Sequence, residues 1–229
     1  MTLRRRLREL LVPAARPPGG AARPPDDDAR WIVLDVESSG LDPNRDRLIA
    51  LAAIALHWPP RGATRAPRIA LHDSFEAVLQ AEAPVDKRNI LLHGVGIGAQ
   101  RDGLDPRTAL EAFERWAGTA PLMAFHAPFD RRLLDRAAQA HLGRRLGNAW
   151  LDLAPLAGVL LPEVPARSLD EWLDHFGLPC AMRHQAAADT LATAELFLRL
   201  RPALQAQVGA RPAFSRLQRL AAQRRWLPH

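Results

Sequence analysis

Trp31-Ile32-Val33-Leu34-Asp35-Val36-Glu37-Ser38-Ser39-Gly40 opens with four apolar residues in a row and then sets two carboxylates one residue apart. An unbroken apolar run of this length reads as a central β-strand covered on both faces. Strand side chains alternate, so Asp35 and Glu37 project to the same face at the strand's C-terminal end. Two carboxylates side by side repel unless a cation lies between them, and hard divalent ions favour oxygen ligands of this kind. Taken alone, an Asp-x-Glu pair is more often an exposed acidic strand end.

Outward from this strand the pattern alternates. Leu48 to His57 reads as a second strand and Ile69 to Leu79 as a third, joined by a proline-rich loop in a hairpin. Asp105-Pro106 opens a helix that ends near Gly118, with Asp as its cap and Pro at its first position. Pro121 to Phe125 is a short strand, and Pro128 begins a helix running to about His141. Trp150-Leu151-Asp152 reads as an edge strand followed by a helix. Ser168-Leu169-Asp170-Glu171 has the form of a capping box. A long helix is expected over Ala186 to Leu200, and a last basic one over Ala213 to Arg225. A strand meander followed by alternating strands and helices predicts an α/β domain with a mixed sheet.

The chain's 229 residues suit one core plus appendages. Residues 1–29 carry proline pairs and an Asp26-Asp27-Asp28 run, the composition of an extended basic arm or linker. The compact domain is expected over 30–202, with 203–229 forming a basic helix packed on it or extending it. A net charge of +6 and a pI near 11.1 favour polyanionic partners, although the excess of Arg over a single lysine, Lys87, also fits a compositional bias. Cys180 is the one cysteine, which excludes an internal disulfide and a cysteine-rich zinc site. The N-terminus lacks a secretory apolar core, and the longest apolar run, Leu48 to Leu56, is far short of a membrane span. A cytoplasmic protein is expected.

Two further elements join the Asp35/Glu37 pair. Phe125-His126-Ala127-Pro128-Phe129-Asp130 places Asp130 in the first turn of a helix after a short strand. His184 precedes Asp189 by five residues, about 500° on a helix, so the two converge only where His184 lies before the helix begins. Asp189 shares an inward stripe with Thr193, Leu196 and Leu200, where a carboxylate needs a partner or a metal.

In this order the three elements resemble the motifs of the DEDDh exonucleases, a family that includes the proofreading (epsilon-type) subunit of bacterial DNA polymerase III, ribonuclease T and oligoribonuclease. Leu34 to Pro43 resembles the first motif, Ala127 to Leu134 the second and Arg183 to Ala194 the third. His93-Gly94-Val95, Leu151-Asp152-Leu153 and Ser168-Leu169-Asp170 are lesser matches, and the likeness covers roughly residues 31–200. It implies a ribonuclease H-like mixed sheet of about five strands flanked by helices. It also implies a 3′→5′ exonuclease acting on single-stranded nucleic acid, DNA favoured over RNA, in replication or repair. Asp35, Glu37, Asp130 and Asp189 would hold two divalent cations, Mg²⁺ or Mn²⁺, and His184 would be the general base, a role suited to imidazole. Ser38, Gly40, His93, Gly94, Val95, His126 and Phe129 are the expected substrate contacts. Ser38 keeps the hydroxyl usual after the glutamate, whereas Phe125-His126 stands where a His-Asn pair is common. A DNA polymerase or repair complex is a further expected partner, and a membrane is not. RNA trimming and a non-catalytic scaffold of the same fold are the rival readings.

Overall fold

The computed structural model describes residues 29–60, 63, 65–80, 95–180 and 183–223; the N-terminal arm lies outside them. Three long strands form an antiparallel meander: β1 (Arg30–Ser38), β2 (Leu48–His57) and β3 (Arg68–Val78). Two short strands, β4 (Leu122–Ala124) and β5 (Trp150–Asp152), add in parallel on the other side of β1. The order β3-β2-β1-β4-β5 makes β1 central and β5 an edge. The expected mixed five-stranded sheet is present.

Seven helices flank the sheet among the described residues: α1 (Ile97–Arg101), α2 (Pro106–Ala117), α3 (Ala127–Leu142), α4 (Leu153–Leu160), α5 (Leu169–Phe176), α6 (Ala186–Val208) and α7 (Phe214–Ala221). Local chemistry fixes their starts. The Asp105 side chain accepts the Thr108 N–H at 2.9 Å, and Ser168 and Glu171 close a reciprocal capping box. None of these helices is long and apolar enough to cross a membrane.

Alternation along β1 sorts its side chains between two cores. Trp31 and Val33 pack with Leu156, Trp172, Phe197 and Leu217 from α4 to α7. Ile32 and Leu34 pack with Leu110, Phe113, Leu133 and Leu134 from α2 and α3. Full burial of each such side chain stabilises the fold by about 1.5–3 kcal/mol. Trp31 also meets Trp58 at 4.7 Å and Phe214 at 5.2 Å in edge-to-face contacts, so α7 is packed onto the core. Continuing the alternation, Asp35 and Glu37 leave the first core on the face covered by α6.

Two elements depart from expectation: α1 (Ile97–Arg101) is an unexpected helix, and the long helix overruns. The helix expected to end at Leu200 continues to Val208, through Pro202. Proline removes one backbone donor there, but Leu204 beyond it is buried in the first core and extends the helix's packing.

Candidate active site

The site forms where β1 ends, at the carboxyl edge of the sheet, between the N-termini of α3 and α6. Asp189 lies in the first turn of α6 and Asp130 in the first turn of α3, where the helix dipole favours negative charge. Both are buried, Asp130 at 4% exposure and Asp189 at 6%. Glu37 accepts a hydrogen bond from the backbone of Ala186, the first residue of α6. Asp130 accepts one from the backbone of Val36, between the paired carboxylates of β1. The three motifs are thus tied together through main-chain donors.

Electrostatically the cluster is strained. Desolvation, then repulsion by Asp189, pushes Asp35 up to about 8, despite relief from the Arg183 guanidinium. Glu37 is likewise pushed up to about 8, by desolvation and then by Asp35 and Asp189. Desolvation, followed by the charge of Asp35, also raises Asp130 well above the ordinary carboxylate range. Carboxyls that hold protons at neutral pH because they are desolvated beside other acids are short of positive charge. The Glu37 Oε1 atom supports this: it is buried and accepts no hydrogen bond among the described residues. Among the described residues no group of three or more acidic, histidine or cysteine side chains is arranged to hold a metal ion. The donor set nevertheless fits hard divalent cations, with four carboxylates and an unused buried oxygen.

Arg183 is the compensating group. It forms ion pairs with Asp189 and with Asp170 of α5, bridging two helices beside the carboxylates. His184 follows it, exposed, in the left-handed conformation at φ 63°, and its backbone N–H donates to Asp189 Oδ2 at 3.1 Å. His184 therefore does precede α6, and its backbone converges on Asp189 although its ring faces solvent.

Asp152, in the Leu151-Asp152-Leu153 match, takes its role from its geometry. Its Oδ1 accepts from His126 N–H at 3.0 Å and from Ala154 N–H at 3.1 Å, and the carboxylate also accepts from Ala127 N–H. It holds the N-termini of α3 and α4 together and fixes His126, which has φ 62°. Desolvation raises the Asp152 carboxyl above its ordinary value against the pull of these bonds.

The expected substrate contacts divide. Ser38 Oγ donates to Gly40 O at 2.5 Å, starting the β1–β2 loop beside the carboxylates. Gly40 has no room for a side chain, because a Cβ would lie 2.6 Å from Asp46 Oδ2. Asp46 in turn accepts from Ser39 Oγ at 2.9 Å and Asp42 N–H at 2.8 Å. From α3, Arg132 donates to Asn44 Oδ1 at 2.9 Å and Arg136 to Pro43 O and Asp46 O at 2.7 and 2.9 Å, clamping this loop. Val95 packs against Ile49 and Ala50, the latter paired with Glu37 across the sheet. Phe129 is half-buried against the second core, and the His126 ring is exposed beside Phe125. His93 and Gly94 lie outside the described residues.

With this geometry in hand, known proteins add the following. Residues 32–197 match the family described as Exonuclease (RNase_T). A "DNA polymerase III subunit epsilon-like protein" of Rhodobacter capsulatus is 30% identical over 184 residues, 79% of this chain and 25% of the relative. A "DNA polymerase III PolC-type" of Bacillus subtilis is 29% identical over 175 residues, 76% of this chain and 12% of the relative. The chain thus spans a quarter or less of these relatives. Among solved structures, Exonuclease X in complex with 5′ overhanging duplex DNA superimposes with a TM-score of 0.60 at 16% identity, covering 83% of this chain and 99% of that one. Escherichia coli Exonuclease I in complex with a dT13 oligonucleotide does so with a TM-score of 0.63 at 16% identity, covering 78% and 42%. These two share the fold.

Proposed function

The chain belongs to the exonuclease (RNase_T) family, and from that premise we propose that it removes nucleoside 5′-monophosphates one at a time from the 3′ end of single-stranded DNA. The observation that carries this reading is the convergence of Asp35, Glu37, Asp130 and Asp189 on the end of β1, where desolvation and mutual repulsion keep carboxyls protonated for want of positive charge. These four residues would hold two divalent cations, Mg²⁺ or Mn²⁺. Such ions stabilise the attacking and the leaving oxygen of an in-line displacement at phosphorus.

The chain's own residues do the rest. His184, exposed at the entry of α6 and tethered by its N–H to Asp189, takes a proton from the attacking water. One P–O bond forms to that water oxygen, and the P–O bond to the 3′ oxygen of the penultimate nucleotide breaks. The strand is left one residue shorter with a new 3′ hydroxyl. The Ser38–Gly40 turn opens the β1–β2 loop beside the terminal nucleotide, with Phe129, Val95 and His126 as its neighbours, and Arg132 and Arg136 hold that loop further on, at Pro43, Asn44 and Asp46. DNA is favoured because the solved neighbours were captured with DNA strands. Work alongside a polymerase fits the polymerase subunits among the relatives.

The test uses the purified chain with Mn²⁺ and 5′-end-labelled single strands of DNA and RNA of equal sequence. The expected result is a ladder of progressively shorter DNA, slower on RNA, and abolished by excess chelator. Immediate release of the label as a mononucleotide, or hydrolysis persisting in chelator, overturns the reading. Faster loss of the RNA overturns the DNA preference.

A further inference from the structure

Between α3 and the edge strand β5 runs a cleft of about 390 Å³ whose walls include Arg131, Arg132, Arg145 and Trp150. Ala127 and Pro128, in the first turn of the helix that carries Asp130, line it as well, as does Asp152, whose charge is felt by Asp130, so this end of the cleft lies beside the carboxylate cluster. Two acidic residues also face it, and both are engaged. Asp152 is occupied by backbone N–H groups, and Asp135 pairs with Arg131 at 3.7 Å.

The remaining guanidiniums have no such partner. Arg132 reaches only the neutral amide of Asn44, and Arg145 makes no hydrogen bond or ion pair among the described residues. The contrast with its neighbour is direct: Arg144 is held by both carboxylate oxygens of Glu114. Exposed guanidiniums without carboxylates are suited to phosphate oxygens, which match their fork geometry. Trp150 closes the cleft on the β5 side, half-buried against the second core, and its strand is held by Gln218 donating to Trp150 O at 2.9 Å. From Ala127 to Asp135 the cleft follows α3 for about 12 Å, room for a few phosphates.

We propose that this cleft binds the sugar-phosphate backbone of the substrate strand on the 5′ side of the nucleotide being removed, with Arg132 and Arg145 on phosphates. The assignment rests on the exonuclease reading, since it is the neighbouring carboxylates that make the occupant a substrate strand.

The test is fluorescence anisotropy of a labelled oligothymidylate with the full chain in chelator, so that no hydrolysis intervenes, across a range of salt. Arg132→Ala/Arg145→Ala is expected to bind about tenfold more weakly at low salt. Its slope of log affinity against log salt should be shallower by about 1.4, two single-strand phosphate contacts. Arg65→Ala/Arg68→Ala removes two exposed charges at the start of β3, the sheet edge opposite β5, and should keep the wild-type slope. An unchanged slope in the cleft variant overturns the proposal, as does an equal loss in the β3 variant or no binding by wild type. A loss confined to a duplex with a 5′ overhang assigns the cleft to the complementary strand and overturns it too. Wild type that binds with this dependence yet never hydrolyses DNA in Mn²⁺ refutes the nuclease reading and leaves the cleft intact.

Discussion

The two ends of β1 hold acidic groups in opposite circumstances. At its start, Asp73 on the edge strand β3 receives Arg30 through both oxygens at 2.8 Å and the His57 ring at 2.7 Å. Arg30 also stacks over Trp116. These bonds outweigh desolvation and pull Asp73 down to about 2. At the far end, Asp35 and Glu37 are pushed up to about 8, by desolvation first and then by their acidic neighbours. Asp35 is the more deeply desolvated, and the sign of the nearest charges widens the difference: basic partners overcome desolvation at Asp73, whereas acidic ones add to it at Asp35 and Glu37. One end is a finished structural joint, while the other is left short of positive charge.

The strongest way to break this contrast is to remove the deficit. Asp35→Ala or Glu37→Ala should lower turnover at least about 10²–10³-fold, as for loss of a preorganised electrostatic partner. Each should hold or raise the melting temperature in chelator, since a repelling charge has gone. A variant with near-normal turnover would remove that residue from the site. His184→Ala should cost about 10²-fold in turnover while Mn²⁺ binding by calorimetry stays close to wild type. Lost metal binding would make His184 a ligand instead.

At the structural end the effect falls on stability. Asp73→Ala removes the carboxylate partner of Arg30, which keeps Ala117 O and Trp116, and should cost about 1–2 kcal/mol in denaturant unfolding. Turnover at 25 °C should be kept, and loss of turnover without loss of stability would show that the two ends are coupled.

The smallest effect is in pH. The folded protein holds the Asp35 and Glu37 protons more tightly than the unfolded chain, whose ordinary values are 3.8 and 4.5. Stability in chelator should therefore be greatest near pH 4 and decline as pH rises to about 8. Asp73, lowered to about 2, contributes oppositely: its stabilisation is complete above about pH 4 and fades below. Melting curves between pH 5 and 9 isolate the first trend, and saturating Mn²⁺ should flatten it. A melting temperature in chelator that rises across this interval would contradict the charge deficit.

What the sequence made legible were residues whose meaning is carried by local spacing. Asp35 and Glu37 at i, i+2, Asp130 in a first helical turn, and Asp189 on a buried stripe all follow from periodicity and motif order. Asp152, Arg183 and Asp46 did not come through as functional. Their work is done by side chains reaching elements 26, 13 and 4 residues away, respectively, and no period announces such a bond. The Ala186 helix outran its expected end because Pro202 and the apolar Leu204 pull opposite ways, and only tertiary packing decides between them. The Arg30–Asp73–His57 joint was equally silent, since it depends on the register of three strands.

His126 and His184 share one further property, their left-handed backbones at the entrances of α3 and α6. A side chain with a Cβ in that region costs roughly 1–2 kcal/mol relative to an ordinary conformation. In a library screened only for heat resistance, glycine or asparagine should therefore accumulate at both positions. Screened for nuclease activity as well, the two should part: position 184 should retain histidine, while position 126, whose main-chain N–H is what Asp152 engages, should remain open to the relaxed residues. Sequencing the survivors would read out which of the two histidines is held for its ring and which for its backbone.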